Sequence, residues 1–204
     1  MKRLLIIGAS GHGKVIADIA IRLKYWETVA FLDNNEYIDE VMGIPVIGRT
    51  IDAVKHIMDS DIFVGIGDNT MRKKVQDELE AAGANIPKLI HPNSIIGNEV
   101  ELGTGTVVMA GAVINCCTKI GKGCIINTGA TVDHDNCIAE FVHVSPGAHL
   151  AGAVNIGSGT WLGIGCTVSN NISITGGCIV GAGAVVVRDI NEAGIYIGIP
   201  ARKK

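Results

Sequence analysis

Between Ile96 and Val186 a branched aliphatic residue returns at every sixth position: Ile96, Leu102, Val108, Ile114, Ile120, Ile126, Val132, Ile138, Val144, Leu150, Ile156, Leu162, Val168, Ile174, Val180 and Val186. Ile, Leu and Val fill roughly a quarter of an ordinary chain, so an unbroken series of this length is not chance. A fixed hexapeptide period predicts a parallel β-helix. Four residues after most of the aliphatics stands a second small or β-branched residue, among them Val100, Thr106, Ala112, Thr118, Cys124, Ala130, Val142, Ala148, Val154, Thr160, Cys166, Cys178 and Ala184. Gly directly follows the aliphatic at Ile120-Gly121, Ile156-Gly157, Leu162-Gly163 and Val180-Gly181, which lets the chain turn a corner. Three hexads make one three-sided coil of about 18 residues, aliphatics inside, with neighbouring coils ~4.8 Å apart. About five such coils give a prism roughly 25 Å long, and no insertion breaks the register.

Upstream the rhythm changes. Lys2–Ile7 is an apolar run ending in Gly8-Ala9-Ser10-Gly11-His12-Gly13, after which Val15, Ile16, Ile19, Ala20 and Leu23 recur at helical spacing. Strand, glycine-rich turn and helix in that order aim backbone N–H groups at a phosphate. The spacing is GxxGxG rather than the GxGxxG of dinucleotide sites. Val29–Leu32 predicts a second strand ending at Asp33-Asn34, where a carboxylate reaches toward a ribose hydroxyl. Asp61–Ile66 predicts a third, running into Gly67-Asp68-Asn69, and a helix with Arg72, Lys73, Val75 and Leu79 follows. Three strand ends bearing Gly or Asp at one edge of a parallel sheet place a ligand crevice there. The plainer alternative is that these glycines only make tight turns and that His12 is an exposed loop histidine. Ala84–Pro92, with Pro87 and Pro92, hands the chain to the β-helix. The division is therefore a Rossmann-like α/β domain over 1–88, too short for a full dinucleotide fold, and an all-β domain over 89–204.

Composition adds exclusions. A net charge of −3 gives no basic footprint for a nucleic acid. The 48% of apolar residues lie in short pieces, none near the ~20 residues of a membrane span. The N-terminus lacks the length and cleavage site of a signal peptide, so the setting expected is cytoplasmic. Six cysteines without CxxC pairs agree with that. Cys124, Cys166 and Cys178 occupy the small-residue position of their hexads and read as core fillers; Cys116, Cys117 and Cys137 do not, and carry no assigned role.

The chemistry concentrates between Thr131 and His149, where Asp133-His134-Asp135-Asn136, Glu140, His143 and His149 interrupt the pattern. His134 lies outside the inward position, and the ordinary reading is a solvated histidine. One coil further on, the same place holds Gly152, whose missing side chain leaves room beside the imidazole for a substrate.

The segment VDHDNCIAEFVHVSPGAHLAGAVNIG, with GASGHGK, FLDNN, GIGDN, HPNSIIG and GIPARK elsewhere, resembles the bacterial sugar acyltransferases of the hexapeptide-repeat superfamily. These are the nucleotide-aminosugar N-acetyltransferases and sialic acid O-acetyltransferases. The resemblance spans essentially the whole chain, and it implies a left-handed β-helix, acetyl-CoA as donor, a nucleotide-sugar acceptor and no metal. It implies homotrimers with active sites between subunits. His134 matches the general base, a task suited to an imidazole, and Asp135 the acid that raises its basicity, with Asp where the family pattern has Glu. His143, Ile164 and Ala182 match positions lining the coenzyme A groove, Ala182 in place of Gly. Ser10, Gly11, His12, Asp33, Asn34 and Gly67 match nucleotide-sugar contacts. The tetrahedral oxyanion needs a donor, and the backbone N–H of Gly152 is the candidate.

Other classes remain open at this stage. γ-Class carbonic anhydrases hold zinc on this kind of helix with three histidines, but His134, His143 and His149 occupy different places in their hexads. A non-catalytic sugar-binding scaffold predicts no acetyl-CoA binding. O-acetylation of a sugar hydroxyl differs from N-acetylation only in the acceptor.

Overall fold

A computed structural model describes residues 3–204; Lys2, included in the first predicted strand, lies outside them. The chain divides into two compact units, Met1–Leu89 and Ile90–Lys204.

The first unit is a three-stranded parallel sheet in the order β2-β1-β5. Strand β1 (Arg3–Ile7) is central and feeds helix α1 (Gly11–Leu23), which returns the chain to β2 (Thr28–Leu32). A small antiparallel hairpin of β3 (Glu40–Val41) and β4 (Ile44–Pro45) and a 3-10 helix, Thr50–His56, follow. Strand β5 (Ser60–Val64) pairs with the other edge of β1, and helix α2 (Asn69–Ala81) closes the unit. The hairpin and 3-10 helix are too short to leave a periodic signature. Strand β5 stops two residues before the predicted Ile66; Gly65 N–H makes the last ladder bond, to the Ile7 carbonyl at 2.8 Å.

The second unit is a parallel β-solenoid. Residues 18 apart pair as strands: Val113 opposite Thr131, Thr131 opposite His149, Ile125 opposite His143 and His143 opposite Trp161. Three sheets of six, five and eight strands form its faces, about one turn more than five coils because flanking segments such as Ile195–Ile197 join the last sheet. Each coil is stitched to the next along the column; His143 N–H, for example, donates to the Thr160 carbonyl at 3.0 Å. From Val108 to Val186 every sixth-position aliphatic is buried, while Ile96 and Leu102 at the first coil pack half-buried against the same core. Each such side chain contributes ~1.5–3 kcal/mol when fully buried. Cys124, Cys166 and Cys178 are inside this core, and Cys116, Cys117 and Cys137 are exposed.

The three corners of a coil are not built alike. One turns through Gly111, Gly129, Gly147, Gly165 and Gly183, and another mostly through glycine, all with positive φ. The third uses Glu99, Cys117, Asp135, Ala153 and Asn171, with φ between 57° and 61°. A left-handed backbone costs an L-residue about 1–2 kcal/mol. The corner that bears this cost in coil after coil is the one carrying His134.

Candidate active site

His134 stands on the turn after the strand Thr131–Val132, with its side chain 55% exposed. Its Nδ1 is 2.7 Å from Asp135 Oδ2. A carboxylate only accepts, so the ring proton sits on Nδ1 and the lone pair of the neutral imidazole on Nε2. The positive φ of Asp135 curls its short side chain back onto the preceding residue. Reach is thus supplied by the backbone, and the methylene that Asp lacks relative to Glu is not needed. Asp133 takes the His134 N–H at 2.9 Å and the Asn115 amide at 2.8 Å, bonds that hold its carboxyl below the usual carboxylate range. The hydrogen bond to Asp135 and the charge of Asp133 raise the imidazole pKa above its ordinary value.

The column places Gly152 beside the ring, as counting one coil forward predicts. A Cβ built on Gly152 would lie 2.7 Å from both Cε1 and Nε2 of His134. The imidazole therefore occupies the space that any larger residue would claim.

His143 sits on a different sheet, parallel to Trp161 with ring centroids 5.8 Å apart. Its Nε2 is 3.1 Å from Asn127 Nδ2. Asn127 Oδ1 accepts from Thr128 N–H at 2.8 Å, which orients the amide so that its NH₂ donates to His143 and leaves the histidine proton on Nδ1. Ile164 is 62% exposed, and it and Ala182 are stacked one coil apart on the corner after that sheet; the Ile164 carbonyl accepts from Gly183 N–H at 2.8 Å. Within one chain, His134, Asp135 and Gly152 share an edge; His143, Ile164 and Ala182 belong to another. His149 is on a third element, 2.9 Å from Thr131 Oγ1, so the three histidines do not converge.

The first unit gathers its predicted residues at the carboxyl end of the sheet. Ser10 precedes α1, and Gly11 and His12 begin it. Gly13 is obligatory for packing: a Cβ there would meet the Gly8 carbonyl oxygen at 1.9 Å. Both Asp33 oxygens bond backbone, Oδ2 to Ala9 N–H at 2.7 Å and Oδ1 to Asn35 N–H at 2.8 Å. Asp33 therefore ties β2 to the glycine turn. Asn34 accepts from Thr50 N–H at 3.1 Å and lines a cavity of about 440 Å³ together with Arg49, Thr50, Ile66, Met71 and Lys74. Far from being an exposed loop residue, His12 has a buried Nε2 without a hydrogen-bond partner. Burial, then the charge of Arg72, pulls its pKa to about 4.

Residues 3–79 match the family model of the PglD N-terminal domain. A UDP-N-acetylbacillosamine N-acetyltransferase of Bacillus subtilis (strain 168) is 36% identical over 116 residues, 54% of this chain and 52% of that protein; the match spans about half of that relative. A GDP-perosamine N-acetyltransferase of Escherichia coli O157:H7 is 30% identical over 74% of this chain and 71% of its own length. The acetyltransferase domain of PglB from Neisseria gonorrhoeae FA1090, solved in complex with acetyl coenzyme A, superposes with a TM-score of 0.96 at 39% identity, covering 99% of this chain and 98% of that one. The chain belongs to the nucleotide-aminosugar N-acetyltransferase family.

Two residues of this family member had escaped the sequence reading. Arg72 was placed only as a residue of the helix after Gly67, yet it is 1% exposed and donates to the carbonyls of Ile66 and Gly67 at 3.1 and 2.9 Å and to Asn69 Oδ1 at 2.7 Å. It shapes the loop that contains Gly67. Asn136 holds a place where other coils carry a small or branched residue, and its signal was the gap it leaves in that series.

Proposed function

We propose that this protein transfers acetyl from acetyl-CoA to the amino group of a nucleotide-linked amino sugar, with His134 Nε2 as general base. One observation carries the reading: an imidazole whose Nδ1 proton is engaged by Asp135 keeps a basic Nε2 on an exposed edge, packed over Gly152 in the place a side chain would take. The acceptor amine attacks the thioester carbonyl, forming C–N, and gives its proton to Nε2. The tetrahedral intermediate collapses with cleavage of C–S, and the coenzyme A thiolate takes that proton back. The Gly152 N–H is the donor proposed for the oxyanion. General-base catalysis of this type contributes ~10²–10⁴-fold. His143, Ile164 and Ala182 line the donor's path, and the cavity beside Asn34 with the α1 terminus takes the nucleotide.

Donor and base residues lie on different edges of one column, so a complete site requires a neighbouring copy, and the assembly proposed is the homotrimer of the family resemblance. A cytoplasmic setting belongs to the same proposal, supported by free cysteines throughout the described residues. Among those residues no helix is long and apolar enough to cross a membrane.

The test is thiol release from acetyl-CoA against a panel of UDP- and GDP-linked 4-amino sugars, with free sialic acid alongside. Turnover with a nucleotide-linked amine is expected. Turnover with sialic acid alone would reassign the acceptor, and none with either would remove the catalytic reading.

A further inference from the structure

We infer that Asn136 is a positioning residue for His134: from inside the column its side-chain amide clamps the turn on which the imidazole stands. The inference rests on the proposed role of His134 as base.

Asn136 is 1% exposed and takes the corner position filled elsewhere on this edge by Val100, Thr118, Val154 and Ile172. Its Oδ1 accepts from Val154 N–H at 3.1 Å. Its Nδ2 reaches the carbonyls of Asp133 at 2.7 Å, Ala151 at 3.0 Å and His134 at 3.3 Å. The bonds to residues 151 and 154 join this coil to the next, the coil that supplies Gly152. Those to residues 133 and 134 close the histidine's own turn.

The same position in other coils separates these two jobs. Thr106 and Thr160 donate to the carbonyl fifteen residues on, Gly121 at 2.8 Å and Thr175 at 3.2 Å. Thr106 also accepts from Cys124 N–H at 3.0 Å. A threonine thus reproduces the stitch between coils, which is generic to the column. Neither of these bonds lies within the threonine's own turn. On this edge Thr118 makes that stitch to the Asp133 carbonyl at 2.8 Å, and Asn136 adds from within the turn its own bonds to the Asp133 and His134 carbonyls, on the turn that carries the base. Buried polar groups with all partners met hold their neighbours in a single arrangement, and a displacement of ~1 Å at a reacting group costs up to about a hundredfold in rate.

The experiment compares Asn136→Thr and Asn136→Val with wild type and His134→Ala in the full-length protein, using acetyl-CoA and whichever acceptor of the panel turns over. Asn136→Thr is expected to keep the melting temperature and both KM values while kcat falls roughly tenfold to a hundredfold. The acid limb of its pH–rate profile should move to lower pH, because a loosened His134 loses part of the Asp135 contact that raises its pKa. Asn136→Val should show the same kinetic loss with a lower melting temperature. Wild-type kcat and pH profile in Asn136→Thr, with His134→Ala inactive, would overturn the inference alone. Full activity in His134→Ala would overturn the reading beneath it.

Discussion

The two units handle their chemistry in opposite ways. In the N-terminal unit polar groups are withdrawn or set in a concavity: Arg72 is buried, His12 Nε2 is enclosed, and Asn34, Thr50 and Lys74 line a cavity of about 440 Å³. On the solenoid, His134 and Asp135 stand on an open edge, each more than half exposed. A concave pocket within one unit has walls on which to hold a nucleotide. An exposed imidazole has a base but no second wall. On the proposed reading recognition belongs to a single chain and catalysis to an assembly of chains, and the consequences can be tested separately.

The largest effect expected is on His134→Ala. It should lower kcat by ~10²–10⁴, measured by thiol release, while nucleotide-sugar affinity measured by calorimetry stays at the wild-type value. Loss of affinity alongside turnover would erase the distinction between the units. Next comes a pair of glycine substitutions on the column. Gly152→Ala puts a methyl where the imidazole is and should cost up to about a hundredfold in kcat with little change in melting temperature, since the ring can swing outward. Gly159→Ala has open space around its new Cβ but a φ of +70°. It should lose about 1 kcal/mol of stability and no activity. The reverse pattern would show that Gly152 serves the fold and not the base.

A smaller effect is expected from Asp135→Asn. Because its carboxylate holds the His134 pKa above the ordinary value, the wild-type rate should rise with pH through a limb displaced upward from about 6.5. The base works only when neutral, so removing the carboxylate moves that limb to lower pH and also weakens the base. A limb unmoved in Asp135→Asn would separate the 2.7 Å contact from catalysis. The smallest change concerns His12. With its pKa pulled to about 4, it stays neutral across roughly pH 5 to 8, and nucleotide-sugar affinity should be flat over that range while kcat is not. An affinity that titrates near pH 6.5 would mean that His12 is solvated after all.

How far the sequence could be read follows the same division. The solenoid repeats every 18 residues in register, so adding one period to 134 was enough to find Gly152 beside the imidazole. Periodicity reports only what recurs, however. The positive φ at Asp135 belongs to a corner with no glycine to announce it, and the reach of that carboxylate was invisible in side-chain length. Asn136 escaped for the complementary reason: it is the departure from the repeat that does the work. In the first unit the three sheet strands and two α-helices were legible from their apolar spacing; the short hairpin and 3-10 helix were not. The burial of Arg72 was not, because its partners are carbonyls of Ile66 and Gly67, and a residue's bonds to backbone leave no trace in the letters that surround it.

The most direct test of the division mixes two inactive proteins. His134→Ala keeps the donor edge of the column and lacks the base; Ile164→Trp keeps the base and fills the donor edge. Each alone should be nearly inert, and subunits exchanged between them should regain measurable thiol release, because some interfaces then pair an intact base edge with an intact donor edge. Proven co-assembly without any recovered activity would contradict a site shared between copies.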